Sequence, residues 1–299
     1  MTRVALLRCG KLPSFVTWDI PNLEELFEED ALLQKGFEAQ GFEASPVVWN
    51  QPDVDWNQYD IALIRSTWDY LDEQEQFLQV LSRIEASSCK LFNPLAAVRW
   101  NIDKRYLFDL EKWGMPVIPT VLASESENIS KWFGSGQTKT VVLKPTLGLG
   151  GSHSYRVQLS DLPKKLEDIR SHHPNQQYLI QPFIEDILHE GEWSFIYFNR
   201  TLSHVLLKKP APNDYRVQGI YGGTIQPAEP KPLDLSQAEA AITKLPLDIL
   251  YARLDFVRVR GQLSIIEVEL IEPIFSFNIV PDSITRLVHA TKDKFDTYS

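Results

Sequence analysis

The chain has 299 residues, 43 % hydrophobic and 23 % charged, with 40 acidic against 30 basic side chains for a formal net charge of -10. That balance fits a globular protein with room for two or three domains. It argues against nonspecific capture of nucleic acid, although a local basic patch could still hold phosphate. The cysteines, Cys9 and Cys89, are too few for a disulfide framework. No apolar run approaches the ~20 residues that span a bilayer, and the first residues lack a cationic leader with an apolar core. A cytoplasmic protein with no membrane partner is expected.

Residues 3–8 read as a short strand. Residues 22–40 place Leu23, Leu26, Phe27, Leu33 and Phe37 at an approximately helical repeat, stopped by Gly41. Residues 47–49 and 61–64 look like further strands and 73–87 like a helix. The alternation predicts a three-layer α/β unit with parallel strands, closing near Phe92-Asn93-Pro94. A helix is expected over 101–112, then strands in VIPTVL (117–122) and 140–144, a glycine-bearing loop, a helix over 161–170 and a strand in QYLIQPF (177–183). WSFIYF and LSHVLLKK open an antiparallel system that ends in a hairpin, with helices over 236–244 and 285–295. Residues 208–234 read mainly as loop. The division expected is 1–97, 98–180 and 181–299.

The hairpin carries the chemistry. In LSIIEVELIEP (263–273), Glu267 and Glu269 lie two residues apart in an apolar run, which puts both carboxylates on one face of a strand about 6–7 Å apart. Such a pair, with Glu272 as a third acid close by, is either solvent-facing on an edge strand or matched by a cation. Oxygen-only donors point to Mg²⁺ or Mn²⁺. Asp255, in YARLDFV, falls across from Glu267 if the loop centred on Gly261 has three residues, and onto the opposite face if it has two.

Gly148, Gly150, Gly151 and Ser152 could bend a backbone around phosphate or form an ordinary turn; neither the Walker nor the dinucleotide spacing is present. Lys144 at the preceding strand end favours phosphate. Lys104, Lys208 and Arg216 are solvated cations taken singly, but share an explanation if an acidic metal site faces them across a triphosphate. Arg65, Ser66 and Thr67 follow a predicted parallel strand, where small ligands bind. They read as a clamp for a substrate carboxylate or as part of an aromatic plug. His153, His189, His204 and His289 suggest no role.

The strings RSTWDY, NPLAAVRWNIDKRY, VVLKP with its glycine loop, EGEWSFIYF, KKPAPNDYRVQ, YGGT and YARLDFV…EVELIEP together resemble the ATP-grasp superfamily over nearly the whole chain. The resemblance is to the branch with glutathione synthetase and the ribosomal-protein glutamate ligases, nearest the cyclo-ligases that form D-cycloserine. It implies an ATP-grasp fold preceded by a Rossmann-like α/β domain. It also implies ATP and Mg²⁺ as cofactors, with two ions and Mn²⁺ as an alternative metal. By the same resemblance Lys104 and Lys144 meet the phosphates under a lid of residues 148–152. Gln181, Phe183 and Ile184 meet adenine, Glu192 lies near the ribose, and Lys208 and Arg216 face the transferred phosphoryl group. Asp255, Glu267 and Glu269 bind metal, Glu269 standing where Asn is common. The implied reaction is amide formation through an acyl phosphate on a small amino-acid-like substrate, by an enzyme that often forms homodimers. Alternatives are an intramolecular cyclo-ligase of a ureido-amino acid and an inactive nucleotide-binding regulator.

Overall fold

A computed structural model describes residues 1–14, 16, 27–129 and 139–298. Its strands form three sheets. In the first, β1 (Arg3–Arg8), β2 (Glu43–Val48), β3 (Ile61–Ile64) and β4 (Lys90–Phe92) run parallel in the order β2-β1-β3-β4. Strands buried on both faces need continuous apolar runs, and VALL and IALI supply them. Val4, Leu6, Ile61 and Leu63 share a core with Leu33 and Phe37 of the helix Glu28–Ala39. The alternate residues Ala5, Leu7, Ala62 and Ile64 share another with Phe77, Val80, Leu81 and Ile84 of the helix Gln74–Glu85. The three layers follow from that alternation. Of the helical repeat expected over 22–40, Leu23 and Leu26 lie outside the described residues.

The second sheet is antiparallel, in the order β5 (Val121–Leu122), β8 (Tyr178–Pro182), β6 (Thr140–Pro145) and β7 (Tyr155–Gln158). It is covered by Leu162, Leu166 and Ile169 of the helix Leu162–His172. β8 runs across position 180, where a division was expected. The third sheet has the order β11 (Thr224–Pro227), β10 (Thr201–Lys209), β9 (Glu192–Phe198), β12 (Tyr251–Val259) and β13 (Gln262–Glu269).

Three local expectations change. The helix expected over 101–112 is two helices, Leu95–Asn101 and Tyr106–Lys112. The break follows from Asp103, whose carboxylate accepts the Arg105 backbone N–H at 2.9 Å and so competes with the helical ladder. VIPTVL is not one strand. Pro116 and Pro119 interrupt the donors, leaving Val121–Leu122 in the second sheet and Val117 in an isolated bridge to Ile265 of the third. Thr224–Pro227, inside the presumed loop, is an edge strand on β10.

β13 is itself an edge, and other parts of the chain occupy its free side. Asn101 Nδ2 donates to the Val268 carbonyl at 2.7 Å, and its Oδ1 accepts the Leu270 N–H at 2.8 Å. The Tyr106 hydroxyl accepts the Val268 N–H at 2.9 Å. Asn93 Nδ2 donates to the carbonyls of Tyr251 and Leu270 at 2.8 and 2.9 Å. These bonds fix the strand that carries the paired glutamates. Among the described residues no helix is long and apolar enough to cross a membrane.

Candidate active site

Arg260 and Gly261, both at positive φ, form a two-residue loop, with Val259 paired to Gln262. Continued without interruption, that register would send Asp255 and Glu267 to opposite faces. The ladder instead slips after the Phe256–Ile265 pair, and the next pair is Asp255 with Glu267, then Leu254 with Val268 and Arg253 with Glu269. Ile266 is the extra residue of a β-bulge. On the turn side of the bulge Leu263 and Ile265 enter the main core, whereas beyond it Val268 and Leu270 do. Glu267 and Glu269 are thereby turned to the opposite face, into a cavity of about 330 Å³.

One carboxylate oxygen each of Asp255, Glu267 and Glu269 lies within 4.8 Å of the others. Side-chain cations surround them. Lys104 Nζ is 2.5 Å from Glu267, Lys208 Nζ is 3.3 Å from Asp255 and 3.0 Å from Glu192, and Arg253 reaches Asp255 at 2.9 Å and Glu269 at 2.6 Å. The Ser194 hydroxyl also donates to Asp255 at 2.5 Å. Burial opposes ionisation of Asp255, but Arg253 and Lys208 outweigh it and hold the carboxyl well below its ordinary range. Glu267 is likewise lowered, burial being overcome by Lys104 and Lys144. Glu269 takes up the residual repulsion. Burial, with Glu267 and Asp255 beside it, pushes it up to about 7 against the attraction of Arg253. Three close carboxylates, one of them reluctant to ionise, form an oxygen-only donor set suited to a hard divalent cation.

The other expected positions fall into two groups. Lys104, Lys144, Gly148, Gly150, Gly151, Ser152, Gln181, Phe183, Ile184, Glu192, Lys208 and Arg216 line the same cavity as the three acids. Lys104 is there because of the break between the two short helices, and its N–H donates to the Thr146 carbonyl at 2.7 Å. Burial lowers the Lys144 ammonium. Gly150 and Gly151 take left-handed φ values of 58° and 72°, and a Cβ on Gly151 would come within 3.3 Å of the Gln218 side chain. The glycine loop therefore lies against the segment that carries Arg216. Arg216 is itself engaged by Asp214, with Nη2 to carboxylate at 2.8 Å, and sits 3.5 Å over the Tyr221 ring. Ile118, Val142, Ile184, Ile187, Val257 and Ile266 give the cavity an apolar wall beside Phe183.

Arg65, Ser66 and Thr67 do not line it. Arg65 is 3 % exposed. It donates to the Pro273 carbonyl at 3.2 Å, pairs with Glu29 at 3.5 Å and stacks 4.4 Å from the Phe275 ring centroid. The Ser66 hydroxyl donates to Asp30. The guanidinium faces half-buried Glu29 and buried Asp30, and the neighbouring Trp68 reaches the cavity instead. Arg253 went unnoticed in the sequence, although it sits two residues before Asp255 and the same-face rule that pairs Glu267 with Glu269 applies to it. Ile266 was also missed.

Residues 4–93 match the family model of the N-terminal domain of the D-cycloserine synthetase DcsG. The chain is 27 % identical over 272 residues to the cycloserine biosynthesis protein DcsG of Streptomyces lavendulae, covering 85 % of this chain and 89 % of that one. It is 23 % identical over 254 residues to a glutathione synthetase of Vibrio vulnificus, covering 81 % and 77 %. The crystal structure of D-cycloserine synthetase DcsG superposes with a TM-score of 0.83 over 98 % of this chain and 99 % of that one at 23 % identity. The chain has the ATP-grasp fold. A D-alanine–D-alanine ligase of Bacillus anthracis shares this ATP-grasp fold at a TM-score of 0.70 and 13 % identity, over 100 % of this chain and 98 % of that one.

Proposed function

We propose that this ATP-grasp protein is an ATP-dependent ligase that activates the carboxylate of a small amino-acid-like substrate as an acyl phosphate and joins it to a nitrogen nucleophile as an amide. The observation that carries the reading is a single cavity in which Asp255, Glu267 and Glu269 converge beneath Lys104, Lys144, Lys208 and Arg253. Acids alone would repel a triphosphate and cations alone would leave the acids without a purpose; together they describe a metal–nucleotide site.

The three acids are the residues that would hold Mg²⁺, or Mn²⁺, one ion or two. Such an ion supplies charge neutralisation on the phosphate oxygens. Lys104 and Lys144 are assigned to the phosphates, under a lid of Gly148 to Ser152. The backbone and side chains of Gln181, Phe183 and Ile184 are assigned to adenine, and Glu192 to the ribose side. Lys208, Arg216 and Arg253 neutralise the charge that develops as the phosphoryl group moves to the carboxylate. The glycine loop, closed against the Arg216 segment, keeps water from the acyl phosphate. Arg65, Ser66 and Thr67 shape the substrate end from behind the wall, through Trp68. The similarity to cycloserine proteins along most of the chain favours cyclisation of one molecule, with the nitrogen and the carboxylate in a single substrate. A cytoplasmic homodimer belongs to the same proposal.

Phosphate release from ATP and Mg²⁺ should be stimulated by one or more members of a panel of amino acids and their ureido and hydroxamate derivatives. Product analysis with one compound at a time separates cyclisation from intermolecular ligation. Glu267→Gln should lower the release by about 10²-fold or more while leaving the circular dichroism spectrum unchanged. If wild-type protein binds nucleotide yet no carboxylate stimulates release, the ligase reading falls and a regulatory binding protein takes its place.

A further inference from the structure

Glu272 is an acid that the metal site does not use. It lies three residues beyond Glu269, is 7 % exposed and lines the cavity beside Trp68, Ile274 and Ser276. It does not belong to the convergent set of Asp255, Glu267 and Glu269. One of its oxygens accepts the Tyr70 hydroxyl at 3.2 Å, and Tyr70 is held in turn by stacking on Phe77 at 4.9 Å between ring centroids. The other oxygen, Oε2, is buried with no hydrogen-bond partner among the described residues. A buried acceptor without a donor is costly, and more so when it belongs to a carboxyl group. The cations whose charge reaches it, Lys104 and Arg253, are already paired, the first with Glu267 and the second with Asp255 and Glu269. Neither of these two cations is free to complete Oε2, and a donor supplied by a ligand in the cavity can do so.

We propose that Glu272, oriented by Tyr70, binds a proton-bearing nitrogen of the substrate, an ammonium or other N–H group, and so selects amino-acid-like molecules over hydroxy acids of the same shape. The proposal rests on the ligase reading and adds to it the group that distinguishes the substrate class. An N–H donor completes the Oε2 acceptor, and a cationic one also offsets the charge of an ionised Glu272. A hydroxy acid in the same position brings no positive charge.

The test is calorimetric binding in the presence of Mg²⁺ and a non-hydrolysable ATP analogue, using alanine and serine of both hands against lactate and glycerate. Wild-type protein should prefer at least one amino acid over its hydroxy twin by about tenfold or more, the usual strength of a hydrogen bond to a charged group. Glu272→Gln should remove most of that preference with nucleotide affinity unchanged, and Tyr70→Phe should reduce it. Equal binding of the twins by wild-type protein overturns the proposal, as does a preference that survives in Glu272→Gln. If Glu272→Gln does not bind nucleotide, Tyr70→Phe decides the matter alone by keeping or losing the preference. Because phosphate release is not measured here, failure of this inference is distinguishable from failure of the ligase reading.

Discussion

The two halves of the β12–β13 hairpin obey opposite phases. From the turn to Ile265, odd-numbered residues of β13 enter the core; beyond Ile266, Glu267 and Glu269 face the cavity and Val268 and Leu270 enter the core. A strand has a side-chain period of two, so one extra residue reverses every side chain that follows it. Ile266 is that residue, and its own side chain joins Ile118 and Val257 in a small cluster at the cavity wall. The acids owe their position to a counting device in the backbone as much as to their own chemistry. It also yields a matched pair of deletions. Removal of Ile266 would make the ladder regular while preserving the Asp255–Glu267 and Arg253–Glu269 pairs, so phosphate release should fall but persist. Removal of Val268, also a loss of one residue, would turn Glu269 toward the core and abolish release. Equal activity in the two deletions would refute the phase argument.

The bulge also marks what could and could not be read in advance. Glu267 and Glu269 were legible as a pair on one face because a two-residue spacing has only one geometric meaning on a strand, whereas the face of Asp255 hung on the loop. A two-residue loop in a regular ladder puts Asp255 and Glu267 on opposite faces, yet the loop has two residues and Asp255 still faces Glu267. The missing possibility was an extra residue placed inside the strand rather than at the turn. A signal for it exists: apolar residues at 263 and 265, then at 268 and 270, cannot share one face of a regular strand, and the adjacent Ile265-Ile266 marks the joint. Lys104 was legible as a candidate but its setting was not, since the helix break depends on an Asp103 bond to its own neighbour. Arg65 was misplaced for another reason. Position at a strand end is visible in sequence, but the approach of Glu29 and Asp30 to the guanidinium depends on packing distant in sequence.

The two halves differ again in how their free edge is held. Near the turn the backbone does it, with the Ile265 N–H donating to the Pro116 carbonyl at 2.6 Å and the Ile118 N–H to the Ile265 carbonyl at 3.1 Å. At the site the edge is held by side chains, chiefly Asn101. Asn101→Ala leaves the Val268 carbonyl and the Leu270 N–H without that partner on either side of Glu269, a loss of about 2–4 kcal/mol for two buried groups. Urea denaturation should show this destabilisation, and phosphate release should fall because Glu269 is no longer fixed. An unchanged midpoint would mean that the edge is held without Asn101.

The smallest effect concerns the acid beyond the hairpin and its dependence on pH. Burial raises the Glu272 carboxyl to about 8, with Glu269 adding repulsion and the Tyr70 hydrogen bond opposing it. An unfolded glutamate titrates near 4.3. Between these values the folded protein holds a proton that the unfolded chain has released, so this group's contribution to stability declines as pH rises through the window and levels off above about 8. Glu272→Gln removes the titration. Without ligand, the variant should melt higher than wild type at pH 8, and the difference should shrink toward pH 5, where both side chains are neutral. Thermal denaturation at the two pH values measures it. A variant that melts lower than wild type at pH 8 would show that the carboxylate already has a donor within the protein. The expected gain would instead place Glu272 among residues kept for binding at a cost to the stability of the free chain.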